Sequence, residues 1–201
     1  ASLREAPHRW VERVVGGQEH EACALIRSLT LHLQVLTGPE VRSLLTATWA
    51  PHLEEVTLRT VGLGPEAGAL LASLLPGLRE LRCLDVRRND LGDDGLEALA
   101  RADGAPALRV LSLAENDIGS RGAAALARAP WLLRLDRLNL HGNHIGDEGA
   151  RTLADSSFVE GLLLELGGNA IGAAGAQALA QSAYLPEVVR RAWRAEVLRR
   201  G

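Results

Sequence analysis

Two imidazoles three residues apart, in HGNH at His141 to His144, have a spacing that invites a metal reading. A metal site needs three or four converging N, S or O ligands, and this stretch offers two. Cys83 sits between Arg82 and Arg87, whose positive charge is expected to lower a thiol pKa. A thiol nucleophile also needs a base, and no histidine falls beside it. The Gly-rich run GLLLELGGNAIGAAGA, residues 161–176, has the composition of a phosphate loop. Neither a Walker sequence, a GxSxG nor an HExxH occurs anywhere. All the basic side chains are arginine, which removes every lysine-based mechanism. These residues point to no catalytic group, no metal and no cofactor.

What must position such side chains is a rhythm in the chain. Leu108, Leu111, Leu113, Asn116, Ile118 and Gly119 recur as Leu81, Leu84, Val86, Asn89, Leu91 and Gly92, and as Leu135, Leu138, Leu140, Asn143, Ile145 and Gly146. A weaker copy reads Gly161, Leu164, Leu166, Asn169, Ile171, Gly172. Two degenerate copies precede them: Leu53, Val56, Leu58, Val61, Leu63, Gly64, and Ile26, Leu29, Leu31, Gln34, Leu36. Four of the chain's five asparagines fall in one column of this alignment, which rules out coincidence. Internal repeats of this period are the signature of a solenoid. Each copy predicts a short strand, a turn and a helix. Asp93, Asp147 and Ser120 are placed to cap the helices that they begin. Gly68, Gly95, Gly122, Gly149 and Gly175 are expected to let each helix approach the strand layer.

The pattern LxxLxLxxNxLGDxGxxALA, carried by residues 81–100 and 135–154, resembles the leucine-rich repeat of the ribonuclease-inhibitor type. The resemblance covers residues 26–183. It implies an α/β fold, a right-handed solenoid of about six repeats bent into a short horseshoe arc, with a parallel concave sheet and convex helices. WVERV, Trp10 to Val14, resembles the N-terminal cap of such proteins in GC-rich bacteria. The buried asparagines Asn89, Asn116, Asn143 and Asn169 are then a ladder. An amide carries both donor and acceptor, so one side chain can satisfy the turns of two copies. Val61 cannot do this, so the first two turns are expected to be held differently, by the N-terminal cap among other means.

The 201 residues suit one domain, divided here into an N-terminal cap at 1–25, repeats at 26–183 and a C-terminal capping helix at 184–201. Aromatics are only 3%, so the core must be Leu, Ala, Val and Ile in many similar layers. Open ends of a stack need lids. Trp10, Val11, Val14 and Val15 suit one end. At the other, Leu185, Val189, Trp193 and Val197 form an i, i+4 stripe. That helix is also basic, so a membrane-surface or acidic-partner role stays open beside the capping one. The net charge of −3 argues against bulk attraction to nucleic acid or membranes. Cys23 and Cys83 are read as reduced thiols. No run has signal-peptide or membrane-span character, so a cytoplasmic monomer is expected.

Strand alternation fixes which side chains face outward. They are Glu55, Thr57 and Arg59; Cys83, Asp85 and Arg87, with Arg88 at the rim; Val110, Ser112 and Ala114, then Glu115; Arg137, Asn139 and His141; and Leu163, Glu165 and Gly167. Arg59, Arg87 and Arg88 form a basic patch with Asp85 among them. Either this is a solvated face laced with weak ion pairs, or a charge-patterned binding surface. The resemblance implies the second use, for a protein partner touching Arg59, Asp85, Arg87, Arg88, Glu115, Asn139, His141 and Glu165. A standard interface needs about 800 Å² per partner, more than the sheet exposes. Loops near Asp90, Asp117 and His144 are therefore expected to take part. Two other classes stay open: a regulator acting in trans on a partner enzyme such as a small GTPase, and a structural spacer in a larger protein.

Overall fold

A computed structural model of the chain describes residues 2–3, 26–32 and 36–200. Readings placed on Trp10, Val11, Val14, Val15, Cys23 and Gln34 lie outside the described residues. Seven parallel strands form one sheet in sequence order: β1 (Ser2–Leu3), β2 (Ser28–His32), β3 (Glu55–Arg59), β4 (Cys83–Asp85), β5 (Val110–Ser112), β6 (Arg137–Asn139) and β7 (Leu163–Glu165). The six expected strands are β2 to β7; β1 adds a seventh, pairing Leu3 with Leu29. Seven α-helices are described: α1 (Gly38–Thr46), α2 (Ala67–Leu74), α3 (Gly92–Ala100), α4 (Ser120–Leu126), α5 (Gly146–Ala154), α6 (Ala173–Gln181) and α7 (Glu187–Arg200). Neighbouring strands lie about 4.8 Å apart, whereas packed helices need about 8–10 Å. With one of each per coil, the stack must arc with its sheet on the inner side.

The registers align the repeat columns. Leu29, Val56, Leu84, Leu111, Leu138 and Leu164 are consecutive partners across the sheet, and all are buried. Because no large ring dominates, the core is a sequence of aliphatic layers. Among the described residues Trp49 and Trp131 are the buried aromatics, and Trp131 Nε1 donates to Ala100 O at 3.3 Å. The sixth copy departs from the expected spacing. Leu162 fills the inward position assigned to Gly161, which is exposed with φ 75° and turns the chain one residue late.

Where each strand ends, the asparagine column takes over. Asn116 Oδ1 accepts from Asn89 N at 3.0 Å and Leu91 N at 3.5 Å. Its Nδ2 donates to Val86 O and Ala114 O at 3.0 and 3.1 Å. Asn143 repeats the set one copy on, accepting from Asn116 N and Ile118 N and donating to Leu113 O and Leu140 O. Asn169 accepts from Ile145 N and donates to Leu140 O and Leu166 O. Asn89 reaches backward as well: its Oδ1 accepts from Val61 N at 3.1 Å and its Nδ2 donates to Leu58 O at 2.6 Å. The Val61 turn is thus held from the following copy, and Val61 O also accepts from Leu36 N of the preceding one at 3.0 Å.

Two expectations about the helices need correction. The paired glycines serve approach between adjacent helices, not between helix and sheet. A Cβ on Gly68 would lie 1.7 Å from Gly95 O, and one on Gly149 3.0 Å from Ser120 Cα. Nor do Asp93 and Asp147 cap their own helices, and the first turn of α4 receives no bond from Ser120. Asp93 Oδ1 accepts from Gly119 N at 2.7 Å and Gly122 N at 2.8 Å, at the start of the next copy's helix. Asp147 Oδ1 does the same for Gly172 N and Gly175 N at 2.6 and 3.0 Å. Each carboxylate therefore caps across the coil, and the charge also favours the positive end of the neighbouring helix dipole. Asp147→Ala is expected to cost about 1–2 kcal/mol, the value of a cap, measured by urea unfolding. An unchanged midpoint would contradict the capping role.

At the far end, Ser182 Oγ donates to Ala154 O at 2.6 Å and accepts from Tyr184 N and Leu185 N, both at 3.2 Å. That ties the lead into α7. Leu185 and Val189 are buried, and Trp193 and Val197 pack against the core. The opposite side of α7 exposes Val188 and Leu198 together with Arg191, Arg194 and Arg199.

Candidate binding face

Three rows of side chains run across the concave sheet. The central row is Thr57, Asp85, Ser112, Asn139 and Glu165, set in register by the strand pairings. Asp85 is not exposed as alternation alone suggests, but only 6% accessible. Arg59 Nε donates to its Oδ2 at 2.7 Å, and Arg87 Nε to its Oδ1 at 3.0 Å. The Arg87 backbone N–H adds a third bond at 3.3 Å. Ser112 and Ala114 are buried too. On an inner sheet face with narrow strand spacing, long flanking side chains close over short ones. Alternation gives the face, but not the depth.

The patch of Arg59, Arg87 and Arg88 is therefore divided. Arg59 and Arg87 share one carboxylate. Arg88 leaves them and binds Glu115 through two bonds, at 2.8 and 3.0 Å. The Arg88 hydrogen bond holds the Glu115 carboxyl below its ordinary pKa, helped by His141 and Arg87 nearby. The pair thus keeps its charge to lower pH than an unpaired glutamate would allow. Arg137 lies 3.6 Å from Glu165, and His144 Nε2 lies 3.3 Å from Asp117 Oδ1, the pairing that the repeat register anticipates. Asn139 Oδ1 accepts from His141 N at 2.8 Å, and the His141 ring is exposed beside Gly167. Of the eight residues singled out in the sequence, the structure brings Arg59, Asp85 and Arg87 into one cluster and Arg88 and Glu115 into a second. Asn139 and Glu165 lie on β6 and β7, and His141 in the turn that follows β6.

Cys83 contradicts the expected activation. Burial pushes its thiol up, and Glu55 and Asp85 reinforce this, outweighing Arg59 and Arg87. Among the described residues no three His, Cys, Asp or Glu side chains gather as a metal site. No described helix is long and apolar enough to cross a membrane.

The rim has one feature that spacing did not reveal. The residue before each turn asparagine, and its equivalent before Val61, is left-handed in all five copies whose turn is described: Thr60 (φ 52°), Arg88 (58°), Glu115 (54°), Gly142 (67°) and Gly168 (70°). Glycine adopts this conformation freely, while other residues are strained in it. A β-branched residue is the worst case. Thr60→Gly is therefore expected to stabilise the fold by about 1 kcal/mol, the low end of left-handed strain. Tm should rise by about 2–4 °C in a chain of this size; a fall would show that Thr60 is not strained.

Residues 78–100, 106–127, 135–154 and 162–180 match the family model described as Leucine Rich repeat. The strand–turn–helix coil and these four matches define a leucine-rich repeat protein with an α/β solenoid fold. A comparison with curated proteins returned no match.

Proposed function

We propose that this chain is a non-enzymatic module that binds a protein partner through its concave face and the adjoining loops. The coil spacing, with convex helices, supports the ribonuclease-inhibitor type of repeat. One observation carries the functional reading. At the same left-handed position the last two copies use Gly142 and Gly168, while the two before them hold Arg88 and Glu115 under strain. Their ion pair is exposed, and exposed pairs add little stability. Backbone strain that stability does not explain is the kind found at binding sites. The amide bonds of Asn89 and Asn116 over-determine both turns and keep the two charged side chains fixed at the rim.

The test separates stability from binding. The double variant Arg88→Gly, Glu115→Gly is expected to melt no lower than the parent. In affinity capture from native lysate it should lose partners that the parent retains. A convex control, Arg128→Gln, should keep them. If the glycine variant keeps every partner, the rim is not the binding surface.

A further inference from the structure

The ion pairs of the concave face do not balance. Arg59 and Arg87 meet a single carboxylate, Asp85, and Arg88 meets Glu115. These pairs form one patch, since the Glu115 carboxyl also feels the charge of Arg87 and His141. Three guanidiniums thus face two carboxylates, and one positive charge is left over. Arg59 holds Asp85 closely, with Nε at 2.7 Å and Nη2 at 2.6 Å from the same oxygen. Arg87 reaches it through Nε alone, and among the described residues its Nη1 and Nη2 donate to no acceptor. The surplus therefore has an address, the free end of a guanidinium whose side chain is 33% accessible.

A second observation lies one strand on. Ser112 is paired with Asp85 on one side and Asn139 on the other, and is 7% accessible. Its hydroxyl makes no hydrogen bond among the described residues. Ala114, next along the same face, is buried too. Together they make a floor of short side chains over β5, with Arg87 on the β4 side and His141 on the β6 side. Buried polar groups are normally paired. Here a hydroxyl without a partner lies beside a guanidinium with an unused fork, so donors outnumber acceptors just where positive charge outnumbers negative.

We propose that this patch anchors an acidic side chain of the protein partner, a glutamate or aspartate whose carboxylate accepts from Arg87 Nη1 and Nη2 above the floor of Ser112 and Ala114. The assignment rests on the concave-face reading and names the chemistry that this face recognises. The uncompensated charge is one, which suits a carboxylate and not the nearly doubled charge of a phosphate group. The planar fork of a guanidinium also meets a carboxylate through two parallel bonds. An uncharged amide in the same place leaves the surplus charge standing and fills the fork only in part.

The probe is the blocked tripeptide GEG, titrated into the full chain while arginine Nε–H and backbone amide resonances are followed. Saturable shifts are expected at Arg59, Arg87 and Ser112 at millimolar peptide, and the blocked tripeptide GQG should bind about tenfold more weakly. Two variants should move the affinity in opposite directions. Arg87→Gln removes the surplus charge while Arg59 keeps Asp85, and should weaken GEG about tenfold. Glu115→Gln, in the exposed rim pair, raises the surplus to two and should tighten it. Both should melt close to the parent. The proposal is overturned if GEG gives no saturable shift, if GQG binds the parent as GEG does, if Arg87→Gln keeps the parent's affinity, or if Glu115→Gln weakens it. A peptide with phosphoserine in place of glutamate, binding tenfold tighter than GEG, overturns it too. Any of these results, with partners still lost in the Arg88→Gly, Glu115→Gly capture, leaves the concave face as the binding surface and removes only its acidic ligand.

Discussion

Asn116→Ala is expected to destabilise the protein by about 4 kcal/mol, at the upper end of single substitutions. The side chain is fully buried and makes four hydrogen bonds to backbone groups of two successive copies, its own and the one before. Removing it strands the Asn89 and Leu91 N–H groups and takes one of two donors from the Val86 and Ala114 carbonyls, which keep Asn89 Nδ2 and Arg88 N–H. Each unsatisfied buried group costs about 1–3 kcal/mol, and a water entering the vacated space can recover part of that. Denaturant unfolding followed by circular dichroism measures the loss. Asn139→Ala is the matched control: it removes one bond, to His141 N at a half-exposed site. Its effect should stay below about 1 kcal/mol, because water replaces the lost acceptor. Equal shifts for the two variants would contradict the ladder.

Gly68→Ala is the second large effect, about 3 kcal/mol, in the upper range for overpacking. The new methyl would meet the carbonyl oxygen and carbon of Gly95, at 1.7 and 2.3 Å. Both obstacles are backbone, so no rotamer can relieve them; α2 and α3 must separate, and the layers of Leu71 and Leu96 beneath them loosen. Gly77→Ala, where nothing lies within 4 Å of the added atom, should leave the unfolding midpoint nearly unchanged. If both alanines are tolerated alike, adjacent helices do not touch at Gly68.

The aliphatic columns and the asparagines were readable because both repeat at a nearly constant interval, and burial selects for type as well as position. The capping aspartates were not. Local rules look for a carboxylate within one turn of the helix start, whereas Asp93 serves Gly119 and Gly122 from one coil upstream. The same blindness to the neighbouring coil misplaced the contact of the paired glycines. For Asp85, alternation named the correct face, but its burial depends on how Arg59 and Arg87 fold over it from both sides, which no spacing encodes. One cap was open to inspection: Thr37 and Glu40 form a capping box at α1, written in the sequence as TGPE. The left-handed rim was hidden because threonine, arginine, glutamate and glycine share no chemistry. They share only a place before the turn.

Amide hydrogen exchange at Arg88, Glu115 and Gly142 tests the claim that the ladder makes this rim a rigid platform. Their N–H groups donate across the coil to Ala114, His141 and Gly167. The account predicts protection equal to that of strand residues Leu84, Leu111 and Leu138, opening only with global unfolding. Exchange at the rate of an exposed loop would contradict it.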